Sequence, residues 1–235
     1  MIEKRLRTTE GLLLVKMPTL LNELTLGQLI AMQEKPYMTD LEAISILSGV
    51  PVSELNTVCD VTDFQIFSEY ILLLSQQIAH LYNRDEIPKK VTFFLDKPLT
   101  VNVINNLSVE PAGAFMAARE IIAEEIKEHI EKHGEDDWQE TFKPSLKACC
   151  QVLGQYFFCR VTSKKYNEYQ VEEFYAEVKK LKVTEALPIA RHFFSCYPHL
   201  SRRKTNYFRR LRQHWRKRQE YKRLNALNIS IPSTL

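Results

Sequence analysis

The sequence is poor in glycine and proline and has no long apolar run. Six glycines and ten prolines in 235 residues are too few for a low-complexity linker or a glycine-rich β-barrel. No apolar run approaches the ~20 residues that a membrane-spanning helix needs, and the first residues lead into no signal-peptide core. Because 45% of the residues are apolar, a sizeable core can form. We therefore expect a soluble, intracellular and mostly helical protein.

Motifs of catalysis and metal binding are also missing. The six glycines form no P-loop, no dinucleotide-binding pattern and no Gly-x-Ser-x-Gly. The five cysteines include no Cys-x-x-Cys pair, so neither a disulfide framework nor a zinc ribbon is predicted. His129 and His133 stand one helical turn apart, but their order with glutamate is not that of zinc proteases, and we interpret them as a solvated face. We expect no enzyme, no catalytic residues, no metal and no cofactor; an enzyme would require distant residues to converge on a cleft.

Charge divides the chain into two regions. Residues 1–200 carry 21 Lys and Arg against 28 Asp and Glu, for a net −7, whereas residues 201–235 carry 11 against 1, for a net +10. An acidic body with a basic end can be self-complementary in an oligomer, or the basic end can bind nucleic acid, lipid headgroups or an acidic protein.

Helix-start signals recur in the first third of the chain. Three pairs have the spacing of a capping box: Thr25 with Gln28, Thr39 with Glu42, and Thr62 with Gln65. They predict helices over residues 26–34, 40–48 and 63–82. Apolar periodicity and breakers predict further helices over residues 53–58, 111–133, 145–160, 171–181 and 184–198. The first 18 residues are predicted to be irregular, except for a strand at residues 12–15.

One β-hairpin is predicted in the middle of the chain. Residues 91–95 and 99–103 are rich in β-branched and aromatic side chains and flank the turn Asp96-Lys97-Pro98. A faint repeat between residues 21–26 and 104–109 suggests two similar helical halves. The predicted fold is therefore mainly α. It has an N-terminal helical half at 1–90, a hairpin connector at 91–103, a C-terminal helical half at 104–200 and a basic helical arm at 201–235.

The predicted helix over residues 111–133 has an acidic outer face. Glu124, Glu125, Glu128 and Glu131 recur along it at helical spacing. These residues lack the alternate-residue spacing of a calcium loop. We interpret the face as solvated, or as the electrostatic partner of the basic arm.

Two stretches of the body resemble a known group of proteins. Residues 17–29, beginning Met17-Pro18-Thr19, and residues 43–51, ending Gly49-Val50-Pro51, are similar to the helical tail-assembly chaperones and related small structural proteins of tailed bacteriophages. The order of the helix at 146–161, Tyr166 and the aromatic helix ending at Phe193-Phe194 resembles the same group.

The resemblance implies a non-enzymatic role in assembly. It implies partners among other phage structural proteins, such as a tape-measure, tail or portal-like protein, in a homo- or hetero-oligomer and without a membrane. It also implies a place in the host cytoplasm during assembly, with the finished virion as the alternative.

The basic arm carries the candidate binding residues. They are Arg202, Arg203, Lys204, Tyr207, Phe208, Arg209, Arg210, Arg212, Trp215, Arg216, Lys217, Arg218, Lys222 and Arg223. On a helix, the aromatic residues and Leu211 share one face, with arginines beside it. This pattern suits docking on a protein neighbour, tracking of nucleic-acid phosphates without sequence specificity, or packing on a surface. We expect a phage assembly or virion protein that acts by protein–protein binding; the alternative is a non-specific nucleic-acid-binding or DNA-packaging accessory protein.

Overall fold

Helices and two antiparallel β-hairpins make up the part of the chain that the computed structural model describes, residues 1–79, 86–134 and 138–197. The mostly helical character is confirmed. The sequence predicts one hairpin, whereas the described residues contain two. None of the described helices combines the length and the hydropathy that a membrane span requires.

The first hairpin was not predicted from the sequence. Strands β1 (Ile2–Thr8) and β2 (Gly11–Met17) pair antiparallel, with Ile2 opposite Met17. The prediction of irregular structure before residue 18 is therefore wrong outside the strand at 12–15. The alternation of β1 is obscured because the partly buried position 4 is a lysine, whose Nζ pairs with Asp63 Oδ1 at 3.0 Å.

Four helices follow in the N-terminal part of the chain: α1 (Leu26–Gln33), α2 (Asp40–Ser48), α3 (Val52–Leu55) and α4 (Gln65–Ala79). The predicted capping boxes of α1 and α2 are confirmed at Thr25 and Thr39.

The third predicted capping box is wrong. Asp60 caps a 3-10 turn over Val61–Phe64, and its Oδ1 accepts hydrogen bonds from the Thr62 amide (2.9 Å) and hydroxyl (2.6 Å). A carboxylate is a stronger acceptor than a hydroxyl, so Asp60 sets the start of the turn and α4 begins at Gln65.

The second hairpin is confirmed where the sequence predicts it. Strands β3 (Lys90–Phe94) and β4 (Pro98–Asn102) pair with Phe94 opposite Pro98. Helices α5 (Ala112–His133), α6 (Trp138–Thr141), α7 (Leu146–Thr162), α8 (Glu168–Val178) and α9 (Val183–Ser195) follow. The sequence did not predict α6. Helix α8 begins three residues earlier than predicted because the side chain of Asn167 accepts hydrogen bonds from the Tyr169 and Gln170 amides.

Helix α7 is the centre of the core. It packs against α5, α8 and α9, and residues on all its sides are buried, including Cys149, Val152, Tyr156 and Phe157. A helix that is apolar all round lies inside a protein.

Backbone hydrogen bonds join the start of α1 to the turn between α8 and α9. The Leu26 amide donates to the Leu181 carbonyl oxygen (2.8 Å), and the Gly27 amide donates to that of Lys179 (2.8 Å). A Cβ atom at position 27 would lie 3.0 Å from the Cβ of Lys179, so this close approach requires a glycine.

Candidate binding site

The fourteen candidate binding residues of the arm, Arg202 through Arg223, lie outside the described residues. The prediction of a binding arm therefore stays a prediction. The surfaces of the body can be described directly.

The acidic face of α5 is more neutral than its sequence suggests. Lys127 Nζ lies 3.7 Å from Glu131 Oε1, and Lys132 Nζ lies 3.4 Å from Glu128 Oε2. Glu125 does not belong to the outer face, because its Oε1 accepts a hydrogen bond from the Ser145 amide (2.6 Å) at the start of α7. The predicted row of four free carboxylates is thus broken by intrahelical pairs and by one capping contact.

A second acidic segment was not singled out from the sequence. Residues 36–79 contain no Lys, Arg or His, and their acidic residues are Asp40, Glu42, Glu54, Asp60, Asp63 and Glu69. Glu42 pairs with Lys35 (2.9 Å) and Asp63 with Lys4 (3.0 Å), both lysines coming from outside the segment. The ion pairs found within the described residues include none to the other four acidic residues.

An apolar groove of about 300 Å³ opens within this acidic segment, between α2, α3 and the start of α4. Its lining residues are Asp40, Leu41, Leu55, Asn56, Val58, Val61, Phe64, Gln65 and Ser68. Leu55 and Phe64 are buried at its floor, whereas the side chain of Val61 is 78% exposed at its edge. The groove thus presents an apolar floor with polar groups around it.

The exposed side of α4 extends the apolar character of the groove. Leu72 follows Ser68 by one helical turn on the same side and is 61% exposed, and Leu73 is 48% exposed. At the other edge, the Ser68 hydroxyl donates to Asp40 Oδ2 (2.7 Å) and thereby joins α4 to α2.

Local hydrogen bonds keep the carboxylates near the groove ionised. The hydroxyl and amide of Thr62 lower the pKa of Asp60, which directly precedes Val61. The Thr39 amide, followed by the Lys35 ammonium, lowers the pKa of Glu42 to about 2. Hydrogen bonds to the charged form of a carboxyl group favour ionisation, so this end of the body is negative at neutral pH.

A buried polar cluster has a structural character. Glu110 forms an ion pair with Arg160, and the Arg160 guanidinium lies over the ring of Tyr156, 4.6 Å from its centroid. These residues connect α7 to the segment that follows β4.

The histidine pair of α5 packs with aromatic residues. The rings of His129 and His133 are 4.6 Å apart, and His129 meets Phe142 at 5.2 Å. Within residues 1–79, 86–134 and 138–197, no group of three or more His, Cys, Asp or Glu could hold a metal ion.

Sequence reasoning missed the groove because its lining comes from three helices. One available signal was the lack of any basic residue over positions 36–79, since a run of 44 residues with acidic residues and no base leaves a surface of one sign. Comparison of the chain with protein-family models, with curated proteins and with solved structures finds no match.

Proposed function

We propose that this chain is a non-enzymatic assembly or structural protein of a tailed bacteriophage, acting by protein–protein binding. In this proposal, the helical halves at 1–90 and 104–200 form the body, the hairpin at 91–103 joins them, and residues 201–235 are a helical arm that docks on a neighbour. The partners are other phage structural proteins, such as a tape-measure, tail or portal-like protein. The protein acts in the host cytoplasm during assembly, either as a chaperone or as a component of the virion.

The division of charge carries the proposal. A net +10 on residues 201–235 beside a net −7 on residues 1–200 favours association with an acidic surface. The body supports it with an uninterrupted acidic segment at residues 36–79. The resemblance of residues 17–29 and 43–51 to tail-assembly proteins supports the phage context.

The test is mass spectrometry of nuclease-treated particles and of the whole lysate of the phage that carries the gene. A fixed low copy number per particle identifies a virion component, whereas abundance in the lysate and absence from particles identifies a chaperone. The same measurement is repeated after replacing Arg209, Arg212 and Arg216 together by glutamine, with lysine at the same positions as the matched control. We expect glutamine to reduce assembly and lysine to preserve much of it. Normal assembly after deletion of residues 201–235 would contradict the proposal.

A second candidate function is non-specific nucleic-acid binding or DNA packaging. The observation that favours it is the alternation of arginine with Tyr207, Phe208 and Trp215, since arginines neutralise phosphates and aromatic rings stack on bases. It predicts that the affinity of the full chain for duplex DNA falls by about a thousandfold or more between 50 and 200 mM salt, whatever the DNA sequence. Weak DNA binding at physiological salt favours the protein-docking function instead.

A further inference from the structure

We infer that the apolar groove between α2, α3 and the start of α4 is the docking site for the basic arm, residues 201–235, of a second copy of this chain. The inference rests on the proposed function, because it names the surface that the arm binds.

Charge is the first reason. Asp40 lines the groove, Asp60 precedes the exposed Val61, and Glu69 follows Gln65 by one turn of α4. No lysine, arginine or histidine lies within residues 36–79 to neutralise them. The arm carries 11 basic residues and one acidic residue. Opposite potentials on two surfaces steer association and fix its orientation.

The apolar content is the second reason. A purely electrostatic contact needs no apolar floor, yet Leu55 and Phe64 form one here, with Val61 and Leu72 exposed beside it. The arm supplies matching groups: Tyr207, Phe208, Leu211 and Trp215 share one face if the arm is helical. An apolar stripe flanked by cations is the chemistry that an acidic-edged groove accepts from an amphipathic helix.

The sign of the charge also separates this occupant from the others. A second copy of the groove itself carries the same negative charge, so face-to-face pairing of two grooves is disfavoured. Nucleic acid is repelled for the same reason. The arm has the opposite sign and the apolar stripe in one segment.

The first test measures binding of a fluorescein-labelled peptide of residues 201–235 to the full-length protein by fluorescence anisotropy. Val61→Lys places a cation at the groove edge without disturbing the core, because Val61 is 78% exposed. We expect it to weaken peptide binding by about tenfold. Met116→Lys, the matched control on α5, changes a side chain that is 58% exposed and lies outside the groove lining, and we expect it to bind like the wild type. Equal binding by both variants and the wild type, or no binding of the peptide at all, would overturn the inference.

The second test locates the peptide directly. A peptide with benzoylphenylalanine in place of Trp215 is cross-linked to the full-length protein, and the cross-linked residues are identified by mass spectrometry. Cross-links within residues 40–72 support the groove, and cross-links confined to other segments exclude it. If Val61→Lys leaves particle assembly unchanged while deletion of residues 201–235 abolishes it, the arm binds elsewhere and the proposed function stands. If the deletion itself has no effect, the proposed function fails.

Discussion

The hydroxyl of Tyr156 makes two hydrogen bonds to the backbone of Ile104, donating to its carbonyl oxygen (2.9 Å) and accepting from its amide (2.7 Å). Tyr156 is fully buried on α7, and Ile104 follows β4. Arg160 Nη1 also donates to the hydroxyl (3.1 Å) and to the Asn102 carbonyl oxygen (3.2 Å). One side chain thus ties the end of the second hairpin to the central helix.

Tyr156→Phe should destabilise the fold. The substitution keeps the ring but leaves the amide and carbonyl of Ile104 without their partner in a partly buried setting. We expect a loss of about 1–3 kcal/mol in the free energy of unfolding, measured by urea denaturation followed by circular dichroism. Tyr169→Phe is the matched control, because Tyr169 is 82% exposed and should change stability by less than about 0.5 kcal/mol. Equal stability of the two variants would contradict this account.

Gly154→Ala should also destabilise, although alanine is the better helix former. A Cβ atom at position 154 of α7 would lie well inside van der Waals distance of Cδ1 and Cε1 of Tyr175 on α8. Overpacking a core contact costs about 1–3 kcal/mol, which exceeds the ~1 kcal/mol that alanine gains over glycine in a helix. The measurement is again the free energy of unfolding.

The matched background for this test is Tyr175→Ala. With the ring removed, adding the methyl group at position 154 should cost little or should stabilise, so the effects of the two substitutions are non-additive. A cost at position 154 that is the same in both backgrounds would mean that the Tyr175 ring is not its cause.

Helix boundaries could be predicted from the sequence where capping is local. Thr25 and Thr39 cap α1 and α2 with partners three residues away, so the signal lies within one turn. Thr62 shows the limit of this reasoning, because Asp60 competes for the same turn and the sequence pattern does not rank the two acceptors.

Features that depend on distant partners could not be predicted. The partly buried Lys4 of β1 makes sense only when Asp63 is brought beside it. Glu125 leaves the acidic face of α5 because the start of α7 lies within reach of it. The groove between α2, α3 and α4 likewise exists only in the folded chain, although its lack of basic residues is visible in the sequence.

The capping box of α2 should make stability depend on acid pH. The pKa of Glu42 is lowered from 4.5 to about 2, chiefly by the Thr39 amide and then by Lys35. A carboxyl group with a lowered pKa in the folded state stabilises above its unfolded pKa, and this contribution is lost as the pH falls. Glu42→Gln keeps the box but removes the charge. We expect the variant to unfold at a lower temperature than the wild type at pH 7, with the difference shrinking between pH 4.5 and 2. A difference that is constant over this range would contradict the assignment.

The five cysteines should react at very different rates with a thiol reagent such as Ellman's reagent. Cys59 is exposed, whereas Cys149 and Cys150 are buried on α7. Burial raises the pKa of the Cys150 thiol to about 11 and also raises that of Cys149. Because the thiolate is the reacting species, we expect one fast phase from Cys59, and reaction of the α7 pair only as fast as the fold opens.

Two serine variants assign these phases. Cys59→Ser should remove the fast phase, and Cys149→Ser should leave it intact while removing one slow thiol. In denaturant all five thiols of the wild type should react together. A fast phase that survives in Cys59→Ser would show that another cysteine is accessible, and would contradict the close packing of α7 against α5, α8 and α9 if that cysteine were Cys149 or Cys150.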